Sequence, residues 1–176
     1  MTPAALAGNT RRRALCALSE WLAVLLLGTM AGFFFAFAVD VAPAMAGLDA
    51  EHYVRTQQAI NRVVRNAVFG GAYFGSALMP WLAALAALAC GRRRRALAWM
   101  LIALVYGVAV FWLTRSVNVP INDELARWSA DAVPAHWAEL RERWNAANLV
   151  RCVAALLCFG AAAALHRRCV PHFTST

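Results

Sequence analysis

Residues 137–165 read WAELRERWNAANLVRCVAALLCFGAAAAL. In the first half, Trp137, Arg141, Trp144, Asn148 and Arg151 recur at steps of four and three, which sets them on one face of an α-helix. The second half, from about residue 149 to 165, is an apolar run nearly long enough to cross a bilayer. One helix thus carries a polar stripe straight into a membrane span. An arginine and an asparagine at the mouth of a span are costly unless something pairs with them. The stripe is therefore either half of a buried polar site or a set of interfacial anchors.

Working outward, three more apolar runs lie at about residues 21–39, 67–89 and 96–114. They account for a chain of 176 residues that is 62% hydrophobic with a mean hydropathy of +0.55, where a soluble domain is about half apolar. The expectation is an all-α, polytopic membrane four-helix bundle forming a single domain over residues 1–176. The runs are continuous rather than alternating, which excludes a membrane β-barrel. Arg11-Arg12-Arg13 before the first run imitates a signal peptide. The run continues through Phe33-Phe34-Phe35-Ala36-Phe37, so a retained span is expected.

All 17 basic residues are arginine. Arg11–Arg13 precede span one, Arg92–Arg95 fill the link between spans two and three, and Arg167 and Arg168 follow span four. The positive-inside rule puts these groups, and both termini, in the cytoplasm. The net charge of +8 then reports topology rather than nucleic-acid binding. Alanine richness without lysine suggests a GC-rich bacterial genome, hence the inner (plasma) membrane. The two remaining loops balance arginines 55, 62, 65, 115, 127, 141, 143 and 151 against acids 40, 49, 51, 123, 124, 131, 139 and 142. That balance predicts paired charges in a folded, outward-facing cap. None of Cys16, Cys90, Cys152, Cys158 and Cys169 lies in these loops, so no disulfide is expected there, and the spacing matches no zinc motif.

Residues 1–10 read as a disordered tail. Span one is expected to end at Asp40, with Pro43 marking a break, and Gly28-xxx-Gly32 offers close helix approach. From an N-cap at Asp49, Val54, Gln58, Asn61, Arg65, Val68 and Ala72 share one face. That helix is expected to run unbroken into span two, where Gly71 and Gly75 give a small-residue face and Pro80 a kink. Span three should end near Thr114-Arg115. Pro120 then biases Val119 toward extended backbone, and Asn122 or Asp123 caps a short helix ended by Pro134. Helices two and four therefore extend beyond the bundle, with the turn 118–122 between them.

Asn61, Arg65, Asn118, Asn122, Arg141, Asn148 and Arg151 converge in this trace. Two readings stand. The cluster is a satisfied network that fixes helix order, or it rims a pocket for an aromatic or lipid-like molecule, with Phe33, Phe34, Phe37 and Phe69 as the floor. Trp112, Trp128, Trp137 and Trp144 gather toward the outer boundary and Trp21 and Trp99 toward the inner, as an aromatic belt does. Trp137 and Trp144 share the stripe and could also stack on a ligand. His52 and His136 read as solvated histidines rather than metal ligands, and no metal site is expected. His136, just before the stripe, is a candidate general base. His166 and His172 belong with the basic cytoplasmic end, and Asp40 is a candidate partner for one of the arginines. No phosphate loop, dinucleotide fingerprint, nucleophile elbow or haem-attachment motif occurs, so no flavin, nucleotide or covalent haem is indicated.

Asn118-x-Pro120-x-Asn122, followed by Trp137-xxx-Arg141-xx-Trp144-xxx-Asn148-xx-Arg151, resembles the anthrone oxygenase-like family of small four-span membrane proteins. Pro43, the Gly32–Phe37 run and Gln58-xx-Asn61 fit as well, so the resemblance covers about residues 20–165. It implies oxidation of an anthrone-type aromatic without a classical cofactor. A base removes the acidic proton and the resulting anion reacts with oxygen. On the matching positions, His136 would be the base, Arg141 or Arg151 would stabilise the oxyanion, and Asn122 and Asn148 would orient the substrate. The competing expectation is a non-catalytic membrane protein that holds a lipid, quinone or protein partner through the same cap. No inverted repeat points to a transporter.

Overall fold

A computed structural model describes residues 3–167. Arg168, Cys169 and His172 lie outside the described residues. All regular structure among those described is helical. Helix α1 (Pro3–Ala36) continues through a π-helical turn (Phe37–Val41) into Ala42–Ala46. Then come α2 (Ala50–Val64), α3 (Ala67–Ala89), α4 (Arg93–Leu125) and α5 (Trp137–Arg167). Helices α1, α3, α4 and α5 are each long and apolar enough to span a membrane. They pack in the cyclic order α1–α3–α4–α5, with α5 returning to α1.

The core between the spans is built on small residues. Ala23, Ala31, Ala83, Ala84, Ala154, Ala155 and Ala162 are buried beside Leu27, Met30, Phe34, Trp99 and Tyr106. Small side chains let backbones approach where lipid supplies no hydrophobic drive. Gly28 meets this need directly: a Cβ there would sit 2.9 Å from the Phe159 ring. Gly32, the other half of the spacing, has nothing within 4 Å. A second core at the cap joins Phe37, Met45, Tyr53, Val54, Ile121, Leu125, Leu140 and Trp144. The cap charges pair as their balance predicts: Arg55 with Glu51 (2.9 Å) and Asp131 (3.0 Å), Arg65 with Asp123 (3.0 Å), and His136 with Glu124 (3.0 Å). These pairs are exposed, and each contributes little.

Several boundaries differ from the sequence expectation. The first helix begins at Pro3, not after a disordered tail. It does not end at Asp40 or break at Pro43, and α4 does not end near Thr114. Val119, expected to be extended, is helical (φ −64°, ψ −49°). One device explains both. A π-helical turn ends just before each proline, and the preceding N–H reaches five residues back: Ala42 to the Phe37 carbonyl, Val119 to the Thr114 carbonyl. The wide turn accommodates the pyrrolidine ring and the missing donor that would break an ordinary helix. Helix two, in contrast, is not continuous. Arg65 leaves helical geometry (φ −77°, ψ 55°), and Asn66 starts a new helix by accepting from the Phe69 N–H at 2.9 Å. Trp99, expected in an interfacial belt, is fully buried in the core, whereas Trp21 and Trp112 are exposed.

The opposite end holds a cluster that the sequence did not signal. Glu20 on α1 is fully buried and ion-paired with Arg95 on α4, and His166 Nδ1 on α5 lies 3.6 Å from it. The Cys90 thiol donates to the Arg12 carbonyl at 3.6 Å. The basic groups of α1, the α3–α4 link and α5 therefore share one end of the bundle.

Candidate functional site

The polar stripe of α5 meets a second stripe on α4. Thr114, Asn118 and Asn122 follow each other at steps of four, the first two bounding the π-helical turn before Pro120, and all three bond to α5. The two faces interlock. Trp144 Nε1 donates to Asn122 Oδ1 at 2.8 Å, and Asn118 Nδ2 donates to the Trp144 carbonyl at 3.2 Å. Arg151 Nη1 donates to Thr114 Oγ1 at 3.1 Å and Nη2 to Asn148 Oδ1 at 2.9 Å. The guanidinium lies over the rings of Phe34 (4.9 Å) and Trp144 (5.3 Å), and Trp144 packs on Phe37 at 4.8 Å.

Beside this seam is a cavity of about 330 Å³. Its apolar wall is aromatic: Phe33, Phe34, Phe37, Phe69, Tyr73 and Phe74. Its polar wall is Asn61, Arg65, Asn66, Thr114, Asn118, Asn122, Asn148 and Arg151, with Trp144 between the two. Arg65 and Asn66 are exposed, so the polar rim opens at the cap, while Asn118, Asn148 and Arg151 are buried at its depth. A smaller polar hollow of about 200 Å³, lined by Gln58, Asn61, Arg62, Arg65, Asn122 and Ala126, adjoins it.

The network is not closed. Arg151 Nε and Asn118 Oδ1 are buried with no hydrogen-bond partner, one a donor and one an acceptor. No carboxylate pairs with Arg151 among the described residues. Its desolvation is then offset by hydrogen bonds and ring contacts alone.

Eleven of the fourteen expected site residues thus line one cavity: Asn61, Arg65, Asn118, Asn122, Trp144, Asn148, Arg151, Phe33, Phe34, Phe37 and Phe69. The other three do not. Arg141 lies over the Trp137 (4.9 Å) and Tyr53 (5.9 Å) rings and pairs with Glu142 at 3.1 Å. Trp137 packs on Tyr53. His136 is exposed, bound to Glu124 at 3.0 Å and set edge-on to Trp128. Asp40 sits in the π-helical turn of α1. Asn66, Tyr73, Phe74 and Thr114 are among the lining residues that sequence reading missed. Thr114 is signalled only in retrospect, by its step of four to Asn118. Tyr53, in the cap, has its phenol pushed up to about 12 by burial, with Arg141 opposing. Among the described residues no group of three His, Cys, Asp or Glu is placed to hold a metal ion.

A family model described as anthrone oxygenase matches residues 65–162, more than half of the chain. The chain belongs to the anthrone oxygenase family. The matched segment includes the whole α4–α5 seam and Arg65, while Phe34, Phe37 and Asn61 come from elements that precede it. No curated protein and no solved structure matches the chain.

Proposed function

We propose that the protein is a cofactor-independent oxygenase that converts an apolar, anthrone-type aromatic to the corresponding quinone in the cavity between α4, α5 and the aromatic wall. The observation that carries this reading is Arg151: a buried guanidinium with no counter-ion among the described residues and an Nε without a hydrogen-bond partner, beside an aromatic wall. It suits an oxyanion. An anthrone is in equilibrium with its phenolic tautomer, and a cation at the oxygen lowers that phenol's pKa. Arg151 then holds the anion through Nε while Thr114 and Asn148 keep the guanidinium oriented. Asn118 Oδ1 is free to accept from a second hydroxyl on the substrate. Asn122 acts through Trp144, whose indole it holds against the ring face.

The anion gives an electron to dioxygen, and the radical pair combines at the ring carbon as a hydroperoxide. Loss of water leaves a carbonyl: the CH₂ carbon gives up two hydrogens and gains one oxygen atom, and the second oxygen leaves with those hydrogens as water. Among the described residues no histidine or carboxylate lines the cavity, so in this reading the proton passes to water at the polar rim. His136 stands outside, held by Glu124. By the positive-inside rule, the end carrying Arg11–Arg13 and Arg92–Arg95 faces the cytoplasm and the cavity opens on the other side of the inner membrane.

That same lack of an internal base favours the second reading, a non-catalytic membrane protein that holds a lipid or quinone. Turnover decides between them. Purified protein in nanodiscs is given a hydroxyanthrone, and quinone formation and oxygen uptake are followed against empty nanodiscs. The oxygenase reading predicts a rate above the spontaneous one that Arg151→Met abolishes. A rate equal to that of empty nanodiscs sinks it and leaves the binding role.

A further inference from the structure

A second hollow adjoins the cavity at its aromatic wall. A larger groove of about 840 Å³ runs between α1 and the α2–α3 junction. It shares Phe33, Phe37, Ile60, Val64, Asn66 and Phe69 with the cavity, so the two adjoin along these side chains, where the Phe33 and Phe69 rings pack at 5.0 Å. Their chemistry differs sharply. Thr29 and Asn66 are the groove's polar residues, and both are satisfied locally: Thr29 donates to the Leu25 carbonyl at 2.9 Å and Asn66 to the Val63 carbonyl at 2.8 Å. The groove therefore asks a ligand for nothing polar, whereas the cavity leaves a buried donor and a buried acceptor open. Groove residues Val63 and Val68 are 74% and 85% exposed, so it opens sideways from the helix break at Arg65.

The geometry points to a substrate with two parts: a phenolic ring head in the cavity, facing Arg151 and Asn118, and a long apolar tail in the lateral groove. The substrate class is a tail-bearing phenol or quinol resident in the bilayer, which slides in between α1 and the α2–α3 junction. This rests on the oxygenase reading for the head's fate, but not for its binding. The tail gains little on leaving lipid for the groove, since both are apolar. The groove's contribution is room and alignment, so obstruction is the informative perturbation.

The test uses the full chain in nanodiscs and two hydroxyanthrones, one bare and one with a long alkyl chain, at equal mole fraction in the bilayer. Binding is read without oxygen and turnover with it. The variants are Ala59→Trp and Val63→Trp, both at exposed groove positions outside the cavity lining. Wild type is expected to take both probes. Each variant should lower the ratio of tailed to bare probe bound by about tenfold, the size of an overpacking penalty. Membrane partitioning is common to all three proteins and cancels. Wild type rejecting the tailed probe, or an unchanged ratio in both variants, overturns the inference. Binding with the expected ratios but no turnover leaves the inference standing and removes the oxygenase reading. Turnover with unmoved ratios does the reverse.

Discussion

Arg151→Met should separate stability from function. The substitution removes two hydrogen bonds from a charged donor, to Thr114 at 3.1 Å and Asn148 at 2.9 Å. Such bonds contribute roughly 1.5–3 kcal/mol each. Stacking on Phe34 and Trp144 adds about 1–2 kcal/mol. Against this, the side chain is only 5% exposed and has no counter-ion, and relief of its desolvation returns several kcal/mol. Methionine fills the space beside the two rings flexibly. The opposing effects nearly cancel, so stability should move by no more than about 2 kcal/mol, a Tm shift of roughly 4–8 °C in either direction. Loss of the oxyanion's partner should lower turnover by about 10²–10³. Arg151→Lys should not rescue it, because an ammonium cannot span Thr114, Asn148 and a ligand oxygen as a planar fork does. Thermal unfolding of the detergent-purified variants, run beside the hydroxyanthrone assay, gives both numbers. A Met variant that fails to fold would make Arg151 a structural keystone. One that folds and turns over normally would remove it from the chemistry.

Three further outcomes are expected. Glu20→Gln leaves Arg95 without its buried carboxylate and should destabilise the protein by about 3–5 kcal/mol, read as a large fall in Tm, with little effect on the hydroxyanthrone affinity of the protein that remains folded. Gly28→Val drives a side chain into the Phe159 ring and should cost about 1–3 kcal/mol, while Gly32→Ala, which meets open space, should cost far less; paired thermal melts compare them. His52 bonds to Asp49, the N-cap of α2, which raises the imidazole's pKa above its ordinary 6.5 and lowers the carboxyl's below 3.8. The histidine's contribution is complete below 6.5 and lost as pH rises through its raised value. The aspartate's is complete above 3.8 and lost as pH falls through its lowered value. Amide protection in the first turn of α2, corrected for the intrinsic pH dependence of exchange, should therefore be greatest between those limits, and Asp49→Ala should flatten the profile.

The spans and the α5 stripe were legible because both rest on periodicity, which a single sequence carries in full. Trp144, Asn148 and Arg151 fall on one face whatever the rest of the chain does. Their partners were harder to place. Pro43 and Pro120 argued for helix ends, since nothing local announces a π-helical turn, yet those turns carry α1 and α4 through and bring Thr114 and Asn118 to face α5. The break at Arg65-Asn66 was hidden by a face, from Val54 through Arg65 to Ala72, that stays in helical phase across it, although Asn66 was the capping residue to notice. Glu20 was unreadable for a different reason. Its partners Arg95 and His166 lie 75 and 146 positions away (95 − 20 and 166 − 20), and only the bundle's closure brings them together. His136 and Arg141 lay in or beside the stripe, but the α4–α5 loop and the Tyr53 ring hold them in the cap, away from the cavity lining.

The most direct test of the cavity's role is the ionisation state of a bound hydroxyanthrone. Under anaerobic conditions the ligand persists, and its absorption shifts to longer wavelength when the phenol loses its proton. At a pH where the free compound is neutral, wild type should bind it as the anion, and Arg151→Met should bind it neutral or not at all. A wild-type complex that absorbs as the neutral phenol would contradict the account, because Arg151 would then not be the partner of an oxyanion.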